Sequence, residues 1–389
     1  MTSPQERPIY RKQNSFVALR GGSSEAKTQV LALLSKLREN PERAKTLTEA
    51  HARLLERALS DVLDPVDCDD GLRFSLSPNV IDEILSLDDE ISLPRYLAHR
   101  YRYEIFPQQR VVDGFPPYLQ IEPSSICNYR CVFCFETDES FTRKSNGFMG
   151  HMTLNAFRNI IDQAVGNVEF LSLASRGEPL LCPDIVPMLE YTAGKFLNLK
   201  INTNASLLDE PKCHAILGGG VKTVVFSADA AAEPLYSKLR VNGRLDKVLA
   251  NVERFHRIRE TQYPESRVIT RVSGVKVSDG QDIEAMERFW GGLVDQVAFV
   301  GYNPWENTYE QSVNEISQPC SDLWRRMFVW WDGKVNPCDV DYKSRLCIGS
   351  ALDVGLGELW QSSAYGRLRD LHQQGGRSRL EPCSRCTVT

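Results

Sequence analysis

The sequence contains no uninterrupted apolar run of about 18 residues, so it offers no membrane-spanning helix. Its opening, MTSPQERPIYRKQNSF, lacks the apolar stretch of a secretory leader. It also lacks a strong excess of either charge. With 46 Lys+Arg against 51 Asp+Glu, the net charge of −5 implies no general nucleic-acid field. These absences predict a cytoplasmic protein with neither nucleic acid nor membrane as partner. Histidine is scarce as well, at six residues. Cysteine is not scarce. Eleven cysteines in a cytosolic chain do not read as a disulfide framework; they read as metal ligands or catalytic groups. The 389 residues suffice for two or three domains, and the 42% hydrophobic fraction is that of an ordinary globular protein.

Three regions differ in texture. Residues 1–23 are polar and end at Gly21-Gly22-Ser23-Ser24, which predicts a flexible start. Asn40-Pro41-Glu42 reads as a helix cap with proline at the first helical position. Leu47, His51, Leu54, Leu55, Ala58, Leu59 and Val62 then follow the spacing of one buried helix face, which Pro65 ends. With a further helical pattern over 78–106, residues 1–112 form an accessory, mostly helical region. Over 113–315, strand patterns at 118–122, 168–174, 197–202, 221–227, 267–277 and 296–300 alternate with helical patterns. The helices fall at 153–165, 185–195, 210–217, 245–260 and 283–291. Such alternation predicts an α/β fold with a parallel sheet of six units, short of an eightfold barrel. The tail, 316–389, carries a hairpin turning at Asp332-Gly333, a short helix near 356–372 and five of the cysteines.

Directly after the first predicted strand stands Cys127-Asn-Tyr-Arg-Cys131-Val-Phe-Cys134. Iron–sulfur clusters are held by thiolates, usually four, so three would leave one iron open to another ligand. Structural zinc takes four closed ligands, and only the distant His151 could supply the fourth. A triplet of small packed residues is the remaining reading.

The CxxxCxxC spacing, Phe133 before the third cysteine, the preceding strand and the following α/β repeat resemble the radical S-adenosylmethionine (SAM) enzymes. The resemblance implies a partial (β/α)6 barrel in which Cys127, Cys131 and Cys134 bind a [4Fe–4S] cluster. SAM occupies the open iron and yields a 5′-deoxyadenosyl radical, fed by a reductant such as flavodoxin or ferredoxin. Gly177-Glu178-Pro179 then matches the motif that holds the SAM amino group, and Asn202-Thr203-Asn204 the strand end that contacts its ribose or methionine. Ser227, with Asp229 nearby, and Arg240 match the carboxylate site. All lie at C-terminal strand ends, where parallel α/β folds build their sites.

In the tail, Cys320, Cys338 in Gly333-Lys-Val-Asn-Pro-Cys338, and Cys383-Ser-Arg-Cys386 resemble the SPASM and shorter twitch extensions of this family. Four thiolates imply one auxiliary [4Fe–4S] cluster, as in the twitch-type aminocyclitol dehydrogenases. Zinc suits the same four cysteines. Cys182 and Cys213 read as core residues, Cys68 as surface loop, and Cys347 as packing or as a hydrogen-atom donor.

The implied reaction is oxidation of an alcohol of a sugar-like or aminocyclitol small molecule. The alternatives are a radical epimerase, a maturase of ribosomal peptides, and a non-catalytic iron–sulfur or zinc protein. Tyr302, Asn303 and Glu306 after the sixth strand, and Arg271 on the fifth, are candidate substrate contacts or bases by position. The polar stretch 135–149 after the triplet is expected to lie near the site as a loop that could reach substrate.

Overall fold

Alternation of apolar strands with one-faced helices produces, in the computed structural model, six parallel strands joined by helices. Residues 16–17, 23–40, 42, 45, 47–64, 72–87, 89–278, 280–302 and 305–389 are described. The chain begins with β1 (Phe16–Val17), α1 (Ser24–Glu39), α2 (Glu49–Leu63), α3 (Pro78–Leu85) and α4 (Leu93–Gln109). Hydroxyl caps start three of these helices: Ser23 Oγ accepts from Ala26 N at 3.0 Å, Thr48 Oγ1 from His51 N at 3.2 Å and Ser77 Oγ from Val80 N at 3.3 Å. Asn40 was expected to open a helix, but it closes α1, its N–H donating to Leu37 O at 3.2 Å. Asn-Pro suits both ends of a helix, because asparagine tolerates cap geometry and proline follows a helix as readily as it starts one. Pro41 and Cys68 lie outside the described residues. The apolar faces of α1–α4 form one cluster with Tyr118 and Phe170 of the sheet.

The core then runs β2 (Tyr118–Ile121), β3 (Arg130–Cys131), α5 (Glu139–Thr142), α6 (Leu154–Ala164), β4 (Phe170–Leu173), α7 (Ile185–Thr192), β5 (Asn198–Thr203) and α8 (Glu210–Gly218). It continues with β6 (Val221–Ser227), α9 (Leu235–Leu239), β7 (Arg240–Val241), α10 (Leu245–Gln262), β8 (Ile269–Lys276), α11 (Ile283–Gly291) and β9 (Gln296–Gly301). Helix α6 shows why these crossovers form. Thr153 caps it, and Phe157, Ile160, Ile161 and Ala164 bury one face against the sheet. Strands β2, β4, β5, β6, β8 and β9 are parallel neighbours in that order, the predicted six units. Phe16–Val17, expected to be part of a flexible start, pair antiparallel with β9, opposite Ala298 and Val297, and cover that edge.

The tail joins the other edge through β10 (Arg326–Val329), β11 (Lys334–Asn336) and β12 (Gly349–Ser350), followed by α12 (Leu356–Gln361) and α13 (Ser363–Gln373). Strand β10 runs parallel to β2, Arg326 opposite Tyr118 and Val329 opposite Ile121. The hairpin turns at Gly333, whose φ of +81° requires the left-handed region. The single helix expected near 356–372 is two, because Ser362 ends α12 and caps α13.

Two polar contacts fix these layers together. Glu122, following β2, and Arg176, following β4, are 0% and 3% exposed and form a two-pronged pair at 2.7 and 2.5 Å. Arg176 also donates to Tyr342 O in the tail at 2.9 Å and lies 4.3 Å over Trp330. Elsewhere, Arg326 on β10 donates to Tyr103 Oη on α4 at 2.8 Å. Among the described residues, no helix is long and apolar enough to cross a membrane.

Arg176→Met leaves the Glu122 carboxylate buried without its counter-charge. The variant should lose about 3–5 kcal/mol of stability in urea unfolding, and Glu122→Gln combined with it should recover part of that loss. A pH effect follows from Tyr103. Burial raises its hydroxyl's pKa, but Arg326 and Arg325 outweigh burial and bring it down to about 8. A folded pKa below the unfolded value near 10 stabilises the fold above that value, and the gain disappears as pH falls through about 8. Urea midpoints of the wild type relative to Tyr103→Phe should therefore rise between about pH 8 and 10.

Candidate active site

A cavity of about 350 Å³ opens at the C-terminal ends of the parallel strands. Cys127, Cys131 and Cys134 line it together, because the chain leaving β2 loops over the strand ends and is pinned by β3. Strand β3 pairs with β7, setting Cys131 opposite Arg240. Burial raises the thiol pKa of all three cysteines; Glu178 adds to the effect at Cys127, while Arg240 opposes it at Cys131. Thiols so placed ionise only when a positive centre joins them.

Gly177 explains its own motif. A Cβ there would lie 2.5 Å from Ser124 O and 2.6 Å from Ile126 O, so only glycine lets this loop close on the segment leading into Cys127. Glu178 is buried, and its carboxylate accepts from Thr203 Oγ1 at 2.6 Å, Asn204 N at 2.7 Å and Leu180 N at 3.0 Å. It thereby ties the motif loop to the end of β5. Asn204 continues the network to Asn128 at 2.9 Å, inside the triplet. Pro179 starts a short turn and is buried without reaching the cavity, whereas Phe133, Gly177, Glu178, Asn202, Thr203, Asn204, Ser227, Asp229 and Arg240 all line it. Arg240 is only 6% exposed; its Nε faces Asp229 Oδ2 at 2.6 Å and its Nη1 lies 3.8 Å from Cys131 Sγ.

Two buried oxygens of residues lining this cavity, Ser175 Oγ and Asn202 Oδ1, have neither a hydrogen-bond nor an ion-pair partner among the described residues. Ser175 also has a φ of +147°, a strained backbone for a residue with a side chain. Unsatisfied buried oxygens beside strained backbone fit a polar ligand that supplies the missing hydrogen bonds.

Some expectations are corrected. Arg271 does not reach this cavity. It sits near the start of β8, donates to Gln296 Oε1 at 2.9 Å, and lines a second cavity with Asp82, Glu83 and Arg95. Position along the strand decides this, since Ser273, Gly274 and Val275 further along β8 do line the site. Cys347 is exposed on the return from the hairpin, its Sγ 3.5 Å from Gly349 O, and lines neither this cavity nor the tail site. Of the stretch 135–149 only Phe135 reaches the cavity; it and Phe141 pack with Tyr309 and Tyr342 instead of forming a polar loop. Tyr302 lines the site and its Oη donates to Glu306 Oε1, while Asn303 lies outside the described residues. Cys182 and Cys213 are core residues as expected. The sequence reading gave no role to Tyr129, Arg176 or Trp305, which also line the cavity. Arg176 was visible inside Ser175-Arg-Gly177, but its buried partner Glu122 is 54 residues away.

In the tail, Cys320, Cys338 and Cys383 line a small apolar cavity, and Cys386 lies one short turn beyond Cys383. Burial raises the thiol pKa of Cys338, and that of Cys383 with Cys386 and Cys320 adding to it. Arg377 is 1% exposed and donates to the carbonyls of Cys383, Cys386 and Gln318 at 3.2, 2.6 and 3.2 Å. Among the described residues, no group of three or more His, Cys, Asp or Glu is gathered closely enough to hold a single metal ion.

Residues 121–289 match the family described as the Radical SAM superfamily, and residues 320–387 match SPASM, an iron–sulfur cluster-binding domain. The chain carries a radical SAM domain followed by a SPASM domain. As in that family, it uses a [4Fe–4S] cluster and SAM, and its SPASM domain implies auxiliary iron–sulfur binding. The orphaned oxygens and the two thiol sets fit those groups. Among curated relatives, the GTP 3',8-cyclase of Clostridium botulinum is 25% identical over 140 residues, 35% of this chain. The match spans only 42% of that relative's length. The structure of Streptococcus suis SuiB bound to precursor peptide SuiA is 19% identical, with a TM-score of 0.53 over 91% of this radical SAM chain and 82% of that one. That of BtrN in complex with AdoMet and 2-DOIA is 15% identical, with a TM-score of 0.48 over 71% and 94%.

Gly177→Ala in this radical SAM protein should weaken SAM binding at least about tenfold, roughly 1.4 kcal/mol, by displacing the 124–126 segment. Equilibrium dialysis of the reconstituted protein checks this, with far-UV circular dichroism controlling for the fold.

Proposed function

We propose that the protein is a radical SAM oxidoreductase that converts an alcohol of a polar, sugar-like small molecule to a ketone. The observation that carries this reading is the chemistry of the tail. Cys320, Cys338, Cys383 and Cys386 supply four thiols, enough to close a cubane completely. A closed cluster offers no site for substrate but can take up an electron, which an alcohol oxidation must dispose of. Epimerisation needs a second hydrogen-atom donor at the site, and Cys347 is exposed elsewhere.

In this reading Cys127, Cys131 and Cys134 hold the first cluster. Asn202, Ser227 and the motif loop held by Glu178 hold SAM, and Arg240 sets the charge beside Cys131. Bound there, the cluster and SAM supply hydrogen-atom abstraction. The chain's own part is to hold the substrate against them, exclude water and accept the hydroxyl proton. In this reading Tyr302, which lines the cavity and is hydrogen-bonded to Glu306, takes that proton. Burial and Glu306 hold the Tyr302 hydroxyl well above the usual tyrosine range, so it passes a proton on to the carboxylate and does not act as a phenolate. A flavodoxin- or ferredoxin-like protein supplies reducing electrons. Among the described residues of 1–112, helices α1–α4 predominate and no three-stranded sheet, as in the peptide-recognition domain of many peptide maturases, is present.

Anaerobic reconstitution should give about eight irons per chain, for two cubanes. Reduction with SAM should release 5′-deoxyadenosine, and Cys127→Ala should abolish it. Among hydroxyl-deuterated-carbon substrates, sugars and aminocyclitols should transfer deuterium into 5′-deoxyadenosine and accumulate a carbonyl product. Release without any carbonyl product, or with solvent deuterium entering the substrate carbon, would remove the dehydrogenase reading.

A further inference from the structure

His372, on α13, is 1% exposed and lines the same small cavity as Cys320, Cys338 and Cys383. Its Nδ1 accepts the backbone N–H of Cys320 at 3.2 Å. A ring nitrogen that accepts carries no proton, so in the neutral ring the proton sits on Nε2. That nitrogen is buried and has no partner among the described residues. An unpaired buried N–H costs about 1–3 kcal/mol, so its presence calls for an acceptor. The rest of the cavity wall is apolar, from Leu323, Pro337, Leu346 and Leu368, and provides none. The acceptors available to this cavity are the sulfurs of Cys320, Cys338 and Cys383 and, stronger than neutral thiols, those of a cluster held on them.

We propose that His372 Nε2–H donates a hydrogen bond to a sulfur of the auxiliary cluster and raises its reduction potential. The inference rests on the auxiliary-cluster reading above. Hydrogen bonds to cluster sulfurs are one of the levers by which a protein sets iron–sulfur potentials, since the donor stabilises the added negative charge of the reduced state. The same histidine holds Cys320 through its backbone, so one ring couples ligand position to cluster electronics. Arg377 acts alongside it, clamping the carbonyls of Cys383 and Cys386 and setting a buried positive charge nearby. Both devices favour the reduced cluster, as an acceptor of substrate electrons needs.

The test uses the full chain carrying Cys127→Ala, so that only the auxiliary cluster forms. About four irons per chain establish that cluster independently of His372; their absence would refute the auxiliary-cluster reading itself. In the four-iron protein labelled with ¹⁵N-histidine, pulsed paramagnetic resonance of the reduced state should show a weak ¹⁵N coupling and an exchangeable proton coupling, both lost in His372→Leu. His372→Leu should shift the reduced-to-oxidised ratio at fixed poise about tenfold toward oxidised, equivalent to 59 mV for one electron. His372→Gln, which keeps an N–H donor, should fall between. No ¹⁵N coupling, a coupling large enough for direct iron ligation, or an unchanged ratio in a His372→Leu protein that keeps its four irons would each overturn the proposal.

Discussion

The buried pair of Glu122 and Arg176 is the constraint on which the rest of the architecture converges. Glu122 leaves the end of β2, Arg176 stands one residue before Gly177, and in the tail Tyr342 O accepts from Arg176 while Trp331 N donates to Glu122 Oε1. Three segments distant in sequence therefore meet at two side chains of 3% exposure or less. Taking two charges out of water is costly unless geometry and hydrogen bonding are good, and here the guanidinium has carboxylate, carbonyl and aromatic partners at once. The pairing of β10 with β2 supplies the backbone half of the same junction. As a result the tail extends the barrel's own sheet and is not a separate appendage.

Both cysteine sites follow one electrostatic logic. Each gathers thiols in surroundings that oppose their ionisation, and each sets one buried arginine beside them: Arg240 at the first site, Arg377 at the second. Burial keeps the empty thiols neutral; a metal cluster would reverse that preference and leave a net anionic centre for the arginine to balance. At the first site Asp229 offsets part of the arginine's charge, whereas Arg377 faces backbone carbonyls. Under the proposed function, an electron-accepting cluster benefits from the uncompensated arrangement.

Much of the fold was legible because periodicity is local. All six parallel strands and their crossover helices follow from apolar spacing, and boundaries fell within a few residues because Thr153, Asp209 and Asp282 cap their helices with side-chain oxygens. Local rules failed where a residue serves two opposite purposes, as Asn40 does at a helix end. They failed also where the partner is remote, as for Phe16–Val17 on β9. Most of the candidate site was legible in its motifs. Arg271 and Cys347 were not, since belonging to a strand or a cysteine-rich tail does not say how far along the strand or on which side of the turn a side chain falls.

By itself, then, the sequence determined the order of strands and helices, the two cysteine sets and the glycine that must precede Glu178. Those depend on side-chain chemistry and spacing along one chain. Only the tertiary structure decided that Arg176 joins three segments, that Arg271 faces the opposite end of the sheet, and that His372 stands among the tail cysteines with one nitrogen engaged and the other buried without a partner among the described residues. Each is a matter of which groups lose water together, and that is settled by packing across tens to hundreds of residues.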